Sequence, residues 1–464
     1  MSNLKVTVSK FGGSSMKDAE AITRSAKIAA SRNSSVVVVS ATYGTTNALI
    51  ELSEKAKQGM GEDVATIIEA IKDNHHKIAR DLEADEATFN HLTTLLEELE
   101  TLAKGMTFLK DAPPKAMDRL LSLGERLSSP LMTSALGQVH QRDYQGKKTE
   151  NFDARKVIRT DDTFGKGAAQ IEEIKALGGK QLYPAKYGEL TYVTQGFIGS
   201  TSEGETTTLG RGGSDYSAAL FAEAIGADLL EIWTDVAGIA TTDPRICPQA
   251  RPINEITFQE AAELAVFGAK ILHPTTLAPV QRAGIPCFVG SSYEPEAPGT
   301  WIKDHCEDQP LIRAMAIKKN QVLLTLTTPK MLDTYGYLSR VFGIFEKYKI
   351  SVDAITTSEI SLAMTVEKET LSKKGFLEDL RSLGSVEIEE DLALVSLIGN
   401  NINHTAGLAH SIFTGLANTD NPINVRMICL GASKHNFCFV VKDEQASQAI
   451  IQLHGEFIEG SHSL

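Results

Sequence analysis

Cysteine is scarce and unpatterned, long apolar runs are missing and positive charge is in deficit, and each of these absences removes a class of function. The five cysteines, Cys247, Cys287, Cys306, Cys429 and Cys438, make no C-x-x-C pair, no zinc spacing and no disulfide framework, so they read as reduced thiols. Cys429 and Cys438 face one another if Ser433-Lys434 makes a two-residue turn. No window reaches the ~18 apolar residues of a membrane span, and Met1-Ser-Asn-Leu-Lys5 leads to the first strand without an apolar signal core. A cytosolic protein is expected. A net charge of −13 leaves no general basic face for nucleic acid or a membrane, so any anionic substrate must be held by local basic residues. Neither the Walker-type phosphate loop nor G-x-G-x-x-G occurs.

What is present is dense around Thr206-Thr-Thr-Leu-Gly-Arg-Gly-Gly-Ser-Asp215. Gly210, Gly212 and Gly213 can adopt positive φ and let backbone N–H groups converge on an anion. Ser214 and Asp215 are suited to cap a helix over 216–225 that Gly226 ends. A glycine loop opening on a helix N-terminus favours anions, and Arg211 adds a planar fork for a carboxylate. The bland alternative is a tight turn carrying a surface arginine.

With 464 residues, 42% hydrophobic and 23% charged, the chain has room for two to four ordinary domains. A strand over 6–10 runs into Phe11-Gly-Gly-Ser-Ser15 and a helix over 18–31. Lys10, at that strand's C-terminal end, is either a phosphate contact or a solvated lysine. The β-branched run over 36–40 reads as a strand buried on both faces and is followed by a hydroxyl-rich turn. Residues 48–140 read as helical. His75 and His76 there read as surface or boundary residues, and Gly124, beside Glu125, hints at close approach by a ligand or another backbone. Alternation of strand and helix resumes from 151, with strands over 191–199, 229–233 and 285–289 and a helix over 257–269. Thr234-Asp235 ends the 229–233 strand. His273, before a proline, reads as structural.

Five stretches in order, Lys10-Phe-Gly-Gly-Ser-Ser15, Thr207–Asp215, Trp233-Thr-Asp235, Thr241-Thr-Asp-Pro-Arg245 and Phe267-Gly-Ala-Lys-Ile-Leu-His-Pro274, closely resemble the aspartokinases, and the resemblance covers essentially the whole chain. It implies a three-layer αβα amino-acid-kinase domain over 1–300 that transfers the γ-phosphoryl of Mg²⁺-ATP to the β-carboxylate of L-aspartate. It places Lys10 and Lys270 around the transferring phosphoryl. Ser40, Thr46, Glu125, Arg211, Ser214 and Asp215 fall at or near aspartate, with Asp215 alternatively orienting the lysines. Gly12, Gly13, Thr234, Asp235 and Arg245 serve the nucleotide. Many similar aspartokinases have tyrosine where this chain has Ala240. The residue types agree independently: a carboxylate nucleophile needs no general base, so positioning and charge neutralisation suffice. Mg²⁺ would be held by phosphates and water, with an Asp at most, so no protein metal site is assigned.

Residues 295–308 read as a linker. Beyond it come strands over 322–327, 350–355 and 361–366 and helices over 338–348 and 371–383, and the unit recurs: Ile350-x-Val352-x-x-Ile355 and Ile423-x-Val425-x-x-Ile428 lie 73 residues apart. The repeats resemble paired α+β ferredoxin-like ACT domains, over 312–391 and 392–464, which sense amino acids and associate edge to edge into a homodimer or homotetramer. Plain ferredoxin-like domains without a ligand are the alternative. L-lysine, with two ammonium groups and a carboxylate, is the expected effector, and threonine is the rival. Its contacts are expected from Met331, Thr334, Gly336, Tyr337, Leu338, Val352, Asp353, Ser358 and Glu359. The second repeat has Arg426, Gly431 and Ala432 where the first has Asp353, Ser358 and Glu359. A glutamate kinase or a non-catalytic sensor are the competing readings for the whole chain.

Overall fold

The computed structural model describes residues 5–460 apart from 145–146, 189, 268–275, 333 and 418–420. The chain forms two compact units: Met1–Ile239, Pro252–Phe258 and Ile271–Cys306 make the first, and Ala240–Arg251, Gln259–Lys270 and Glu307–Leu464 the second.

Among the described residues, the first unit carries ten strands: β1 (Thr7–Phe11), β2 (Val36–Val39), β3 (Lys148–Phe152), β4 (Leu190–Gln195), β5 (Ile198–Ser200), β6 (Thr206–Thr208), β7 (Leu229–Thr234), β8 (Glu255–Thr257), β9 (Cys287–Ser291) and β10 (Thr300–Lys303). Eight of them form one sheet in the order β3-β4-β2-β1-β7-β9-β10-β8, and β5 pairs with β6 alone. Strands β3 to β9 of that order run parallel, and β10 turns antiparallel to β9. A parallel sheet needs both faces covered, which explains the unbroken valines of β2. Val37 and Val39 join the core made with the helices Ala19–Ser31, Thr45–Lys57, Gly61–Asp81, Glu86–Leu109 and Pro114–Asp143. Val36 and Val38, equally buried, alternate to the opposite face, where the helix Gly213–Ile225 packs on β1, β2 and β7. The result is the expected three-layer αβα arrangement.

The supposed linker over 295–308 is corrected here, because Thr300–Lys303 is β10 and pairs with β9 and β8. Gly299, at φ +62, makes the turn into it.

The second unit holds β11 (Ala314–Thr327), β12 (Ala354–Thr357), β13 (Ser361–Glu367), β14 (Ser385–Ile398), β15 (Met427–Cys429) and β16 (Asn436–Lys442) in one sheet of order β12-β13-β11-β14-β16-β15. All neighbours are antiparallel. The long strands β11 and β14 serve both halves. Residues 321–327 of β11 pair with β13, whereas 314–318 pair with the far end of β14, beside β16. One core gathers Val322, Leu324, Val341, Phe345 and Met364; another gathers Val395, Leu397, Leu408, Phe439 and Ile450.

Two expected elements shift. The strand expected over 350–355 begins only at Ala354, because Lys349 sits at φ +51 and the Ile350 N–H still donates to Phe345 O, closing the preceding helix Tyr337–Lys347. The helix expected over 371–383 is a short 3₁₀ turn, Lys368–Ser372, followed by Phe376–Arg381. Gly375 at φ +87 separates them.

Candidate active site

The C-terminal ends of β4, β2, β1 and β7 share one edge of the large sheet because these strands are parallel, and the loops leaving that edge carry most of the predicted residues. Lys10 lies near the end of β1 and is buried. Its Nζ stands 2.5 Å from Asp215 Oδ1, so Lys10 is a held cation and not a solvated strand end. Asp215 Oδ1 is buried and, among the described residues, has this ion pair but no hydrogen bond. Gly12 donates its N–H to Trp233 O at 3.2 Å, and a Cβ on Gly12 would lie 3.5 Å from Lys10 Nζ. Nucleotide candidates Gly12 and Gly13 thus sit beside the lysine.

The glycine loop has the shape its residues allow. Gly210 and Gly212 adopt φ +75 and +70, and the helix Gly213–Ile225 starts directly after them with Gly212 as N-cap. Ser214 and Asp215 therefore occupy the first helical turn, not the cap; with left-handed Gly212 leading in, the helix begins before either serves. Asp215 there favours the positive helix end. Close packing fixes the loop, since a Cβ on Gly213 would meet Phe197 Cδ2 at 2.6 Å and one on Gly196 would meet Ser214 Cβ at 2.6 Å. Arg211 is exposed and makes no ion pair among the described residues.

Glu125 is 4% exposed inside the helix Pro114–Asp143. Burial raises its carboxyl to about 8, against the opposing pull of the Ala41 N–H, its own backbone N–H and the Lys10 charge. Its Oε2 has no hydrogen-bond partner among the described residues. Gly124 explains how this helix approaches: a Cβ there would meet Ala41 Cβ at 2.9 Å, so the close partner is the loop after β2. In that loop Ser40 offers its carbonyl to Ser128 Oγ at 2.7 Å. Thr45 starts the helix that also carries Thr46 and shares a 2.6 Å hydrogen bond with Thr42.

His75 corrects the boundary reading, because it is fully buried. Its Nδ1 is 2.7 Å from Ile71 O and its Nε2 3.1 Å from Thr42 Oγ1, and burial lowers it to about 4. A neutral ring with Nδ1–H donating to the carbonyl leaves Nε2 to accept from Thr42, so His75 props the hydroxyl loop from behind. Sequence reasoning also missed Asp118. That buried carboxylate accepts from Gly165 N–H, Thr208 N–H and Thr208 Oγ1, tying β6 and the 165 loop to the long helix. A Cβ on Gly210 would come within 3.5 Å of Lys166 Cγ, which makes Lys166 a further cation beside the cradle. Neither signal is visible locally, since each partner lies tens of residues away.

Thr234 ends β7 and its hydroxyl bonds Asp235, which is exposed. Arg245 belongs to the second unit and pairs with Asp243 at 2.7 Å. Lys270, the fifth motif from Gly268 onward and His273 lie outside the described residues.

Of the effector candidates, Gly336 (φ +73) caps the helix Tyr337–Lys347. Tyr337 is buried with its hydroxyl on Leu383 O, and Leu338 is exposed. Met331 and Thr334 flank the turn that precedes the helix. Val352 and Asp353 lead into β12, and Ser358 closes the β12–β13 turn onto Ser361 at 2.6 Å, with Glu359 exposed at its tip. Asp353 is not an open acceptor: Lys318 Nζ lies 2.7 Å from its Oδ2.

Comparison with known proteins agrees with this geometry. Residues 5–291 match the amino acid kinase family and residues 395–457 the ACT domain. The sheet, the glycine cradle and the lysine at the strand edge are thus those of an amino-acid kinase joined to a regulatory module. Lysine-sensitive aspartokinase 3 of Escherichia coli is 44% identical over 98% of this chain and 100% of its own length. Chloroplastic aspartokinase 3 of Arabidopsis thaliana is 35% identical over 97% of this chain and 81% of its own. Crystal structures of E. coli aspartokinase III superpose with TM-scores of 0.85 for the aspartate–ADP complex (43% identity) and 0.82 for the lysine–aspartate complex (44%), each covering 98% of this chain and at least 99% of the relative. The chain belongs to the aspartokinase family. No helix among the described residues is long and apolar enough to cross a membrane.

Proposed function

We propose that this chain phosphorylates the β-carboxylate of L-aspartate with ATP, giving 4-phospho-L-aspartate, and is inhibited by L-lysine. The observation that carries the catalytic half is the ion pair of buried Lys10 with the partly buried Asp215, with Arg211 on the adjoining glycine loop and the buried Glu125 within reach of the Lys10 charge. Two anions must meet, and Lys10 supplies positive charge where the γ-phosphoryl passes between them. Lys270 is assigned the same work from the sequence motif. Arg211, with no ion-pair partner among the described residues, is available for bidentate contact with a substrate carboxylate. Ser40, Thr46 and Ser214 offer hydroxyls to aspartate. Glu125 is suited to the substrate's ammonium, whose arrival would stabilise its ionised form. Gly12, Gly13, Thr234, Asp235 and Arg245 are assigned to the nucleotide.

The oxygen donors on the cradle side, Asp215 with its hydrogen-bond-deficient Oδ1 and the exposed Asp235, suit a hard cation such as Mg²⁺. Carried mainly by phosphates and water, Mg²⁺ would neutralise charge on the β- and γ-phosphates.

The second unit divides into two ACT domains in this reading, at 312–391 and 392–464, with lysine held on the first. The E. coli relative crystallised with lysine supports that effector. Assembly into a homodimer or homotetramer through these domains is open to light scattering. The deciding test is ADP release with aspartate, glutamate or carbamate, with and without lysine or threonine. Aspartate-dependent turnover suppressed by lysine is expected; glutamate-dependent turnover alone overturns the assignment.

A further inference from the structure

Cys429 ends β15 and Cys438 lies on β16, directly opposite in the antiparallel register. Opposed residues of such a pair have Cα atoms about 4.5–5.5 Å apart with side chains on one face, inside the roughly 4.4–6.8 Å that a disulfide spans. The loop between the strands runs over residues 430–435, so the facing seen in the sequence holds without a two-residue turn. Cys429 is partly exposed, while Cys438 is buried behind it. Hydrogen bonding from Cys438 draws the Cys429 thiol down to about 7 and raises Cys438. An accessible thiol that ionises readily, with a second thiol in reach, is the arrangement in which oxidation ends in a disulfide. Cys247, Cys287 and Cys306 are all buried. The Cys429 thiol also donates to Ile355 O on β12 at 3.4 Å, and β12 lies between Asp353 and the Ser358-Glu359 turn.

We propose that Cys429 and Cys438 form a reversible disulfide that withdraws the Cys429 thiol from β12 and weakens inhibition by lysine; the second half rests on the effector reading above. With a peroxide as oxidant, the Cys429 thiolate attacks one peroxide oxygen, giving a sulfenic acid and releasing hydroxide. Cys438 sulfur then attacks the Cys429 sulfur, expelling a second hydroxide, and its proton leaves to solvent. Two thiols and one hydrogen peroxide become one disulfide and two waters, two electrons passing from sulfur to oxygen.

The test treats the full-length native enzyme with hydrogen peroxide, blocks remaining thiols and maps tryptic peptides, since cleavage at Arg426, Lys434 and Lys442 leaves the two cysteines in separate fragments. A Cys429–Cys438 linked peptide that dithiothreitol dissolves is expected. The lysine concentration for half inhibition should rise roughly two- to fivefold, the weight of one weak hydrogen bond, with uninhibited turnover unchanged. Cys438→Ser should abolish both the linked peptide and the shift. Sulfinic acid on Cys429 without a linked peptide, or linkage between two chains, overturns the pair. A linked peptide with an unmoved lysine curve overturns the regulatory half. If the reduced enzyme ignores lysine altogether, the effector reading fails while the peptide map still decides the disulfide.

Discussion

Two Lys–Asp pairs, one in each unit, show how similar chemistry is put to different ends. Lys10–Asp215 closes at 2.5 Å with side chains 10% and 15% exposed; Lys318–Asp353 closes at 2.7 Å with 23% and 11%. The first stands near a buried carboxyl, Glu125, that the Lys10 charge favours in its ionised form, and at a positive helix end. The second shares its ammonium with a solvated carboxylate, Glu367 at 3.3 Å. In the proposed reading, the buried Lys10 cation beside close-packed glycines suits a phosphate. In the same reading, a carboxylate lightly covered by a lysine side chain suits exchange of that lysine for a free one. The second repeat repeats the backbone but reverses the charge: Asp353 N–H donates to Thr365 O, Arg426 N–H donates to Val440 O, and Arg426 pairs with Glu389.

If that contrast is right, the largest effect belongs to the first pair. Lys10→Met should lower kcat by about 10²-fold or more, the scale of one lost transition-state charge contact, with a smaller change in nucleotide affinity. Steady-state kinetics with wild-type turnover in the variant would sink the role. Asp353→Asn should leave uninhibited kcat near wild type yet raise the inhibitory lysine concentration about 10- to 100-fold, as expected for a charged hydrogen bond worth roughly 1.5–3 kcal/mol. Lysine titration of both enzymes reads this directly, and an unshifted curve removes Asp353 from the site.

Glu125 separates the two regions by pH. With its carboxyl raised from 4.5 to about 8 by burial, it is mainly neutral at pH 7 before aspartate binds. A bound ammonium prefers the ionised form, so the KM for aspartate should fall as pH rises from 6 to 8, by up to about tenfold per unit. Glu125→Gln should flatten that slope; a slope that survives the substitution assigns the proton elsewhere. The same shift means the fold loses stability as pH rises from the ordinary glutamate range to about 8, because the native state holds its proton longer than the unfolded chain.

How much of this was legible follows from distance along the chain. Lys10, Arg211 and Asp215 could be read because a strand end and a glycine loop are local patterns. Gly124 could be read because a helix-interior glycine is costly and wants a reason. His75 could not: its partner Thr42 is 33 residues away, and a neutral histidine on an amphipathic face carries no mark of its orientation. Asp118 reaches Thr208 across 90 residues and was equally silent. In the second unit the repeat of 73 marked equivalent backbone positions, Asp353 and Arg426, but the division of β11 and β14 between two cores depends on register, which alternating apolar residues do not specify. Lys318 therefore went unnoticed as the partner of Asp353.

That partner supplies the smallest prediction and the one that most sharpens the contrast. Lys318 Nζ pairs with Asp353 Oδ2, the oxygen a ligand ammonium would use in the proposed site, so an effector lysine bound there would have to displace it. Ion pairs at partly exposed positions contribute about 0.2–1 kcal/mol. Lys318→Met keeps the aliphatic stem and removes only the competing charge, leaving Asp353 and Glu367 both open. The inhibitory lysine concentration should therefore fall, by roughly 1.5- to 5-fold, while kcat without lysine stays unchanged. If Lys318 instead serves to hold Asp353 in its binding rotamer, the curve moves the opposite way, and the displacement account is wrong. Arg426→Gln provides the matched control, because it breaks Arg426–Glu389 in the second repeat while Lys442 still pairs with Glu389 at 3.2 Å. With no carboxylate at Arg426, Gly431 or Ala432, that repeat has no counterpart of Asp353 and Glu359 for the two ammonium groups of lysine, and the lysine curve should not move. A shift in the Arg426 variant matching that of Lys318→Met would mean that both repeats take part in the response.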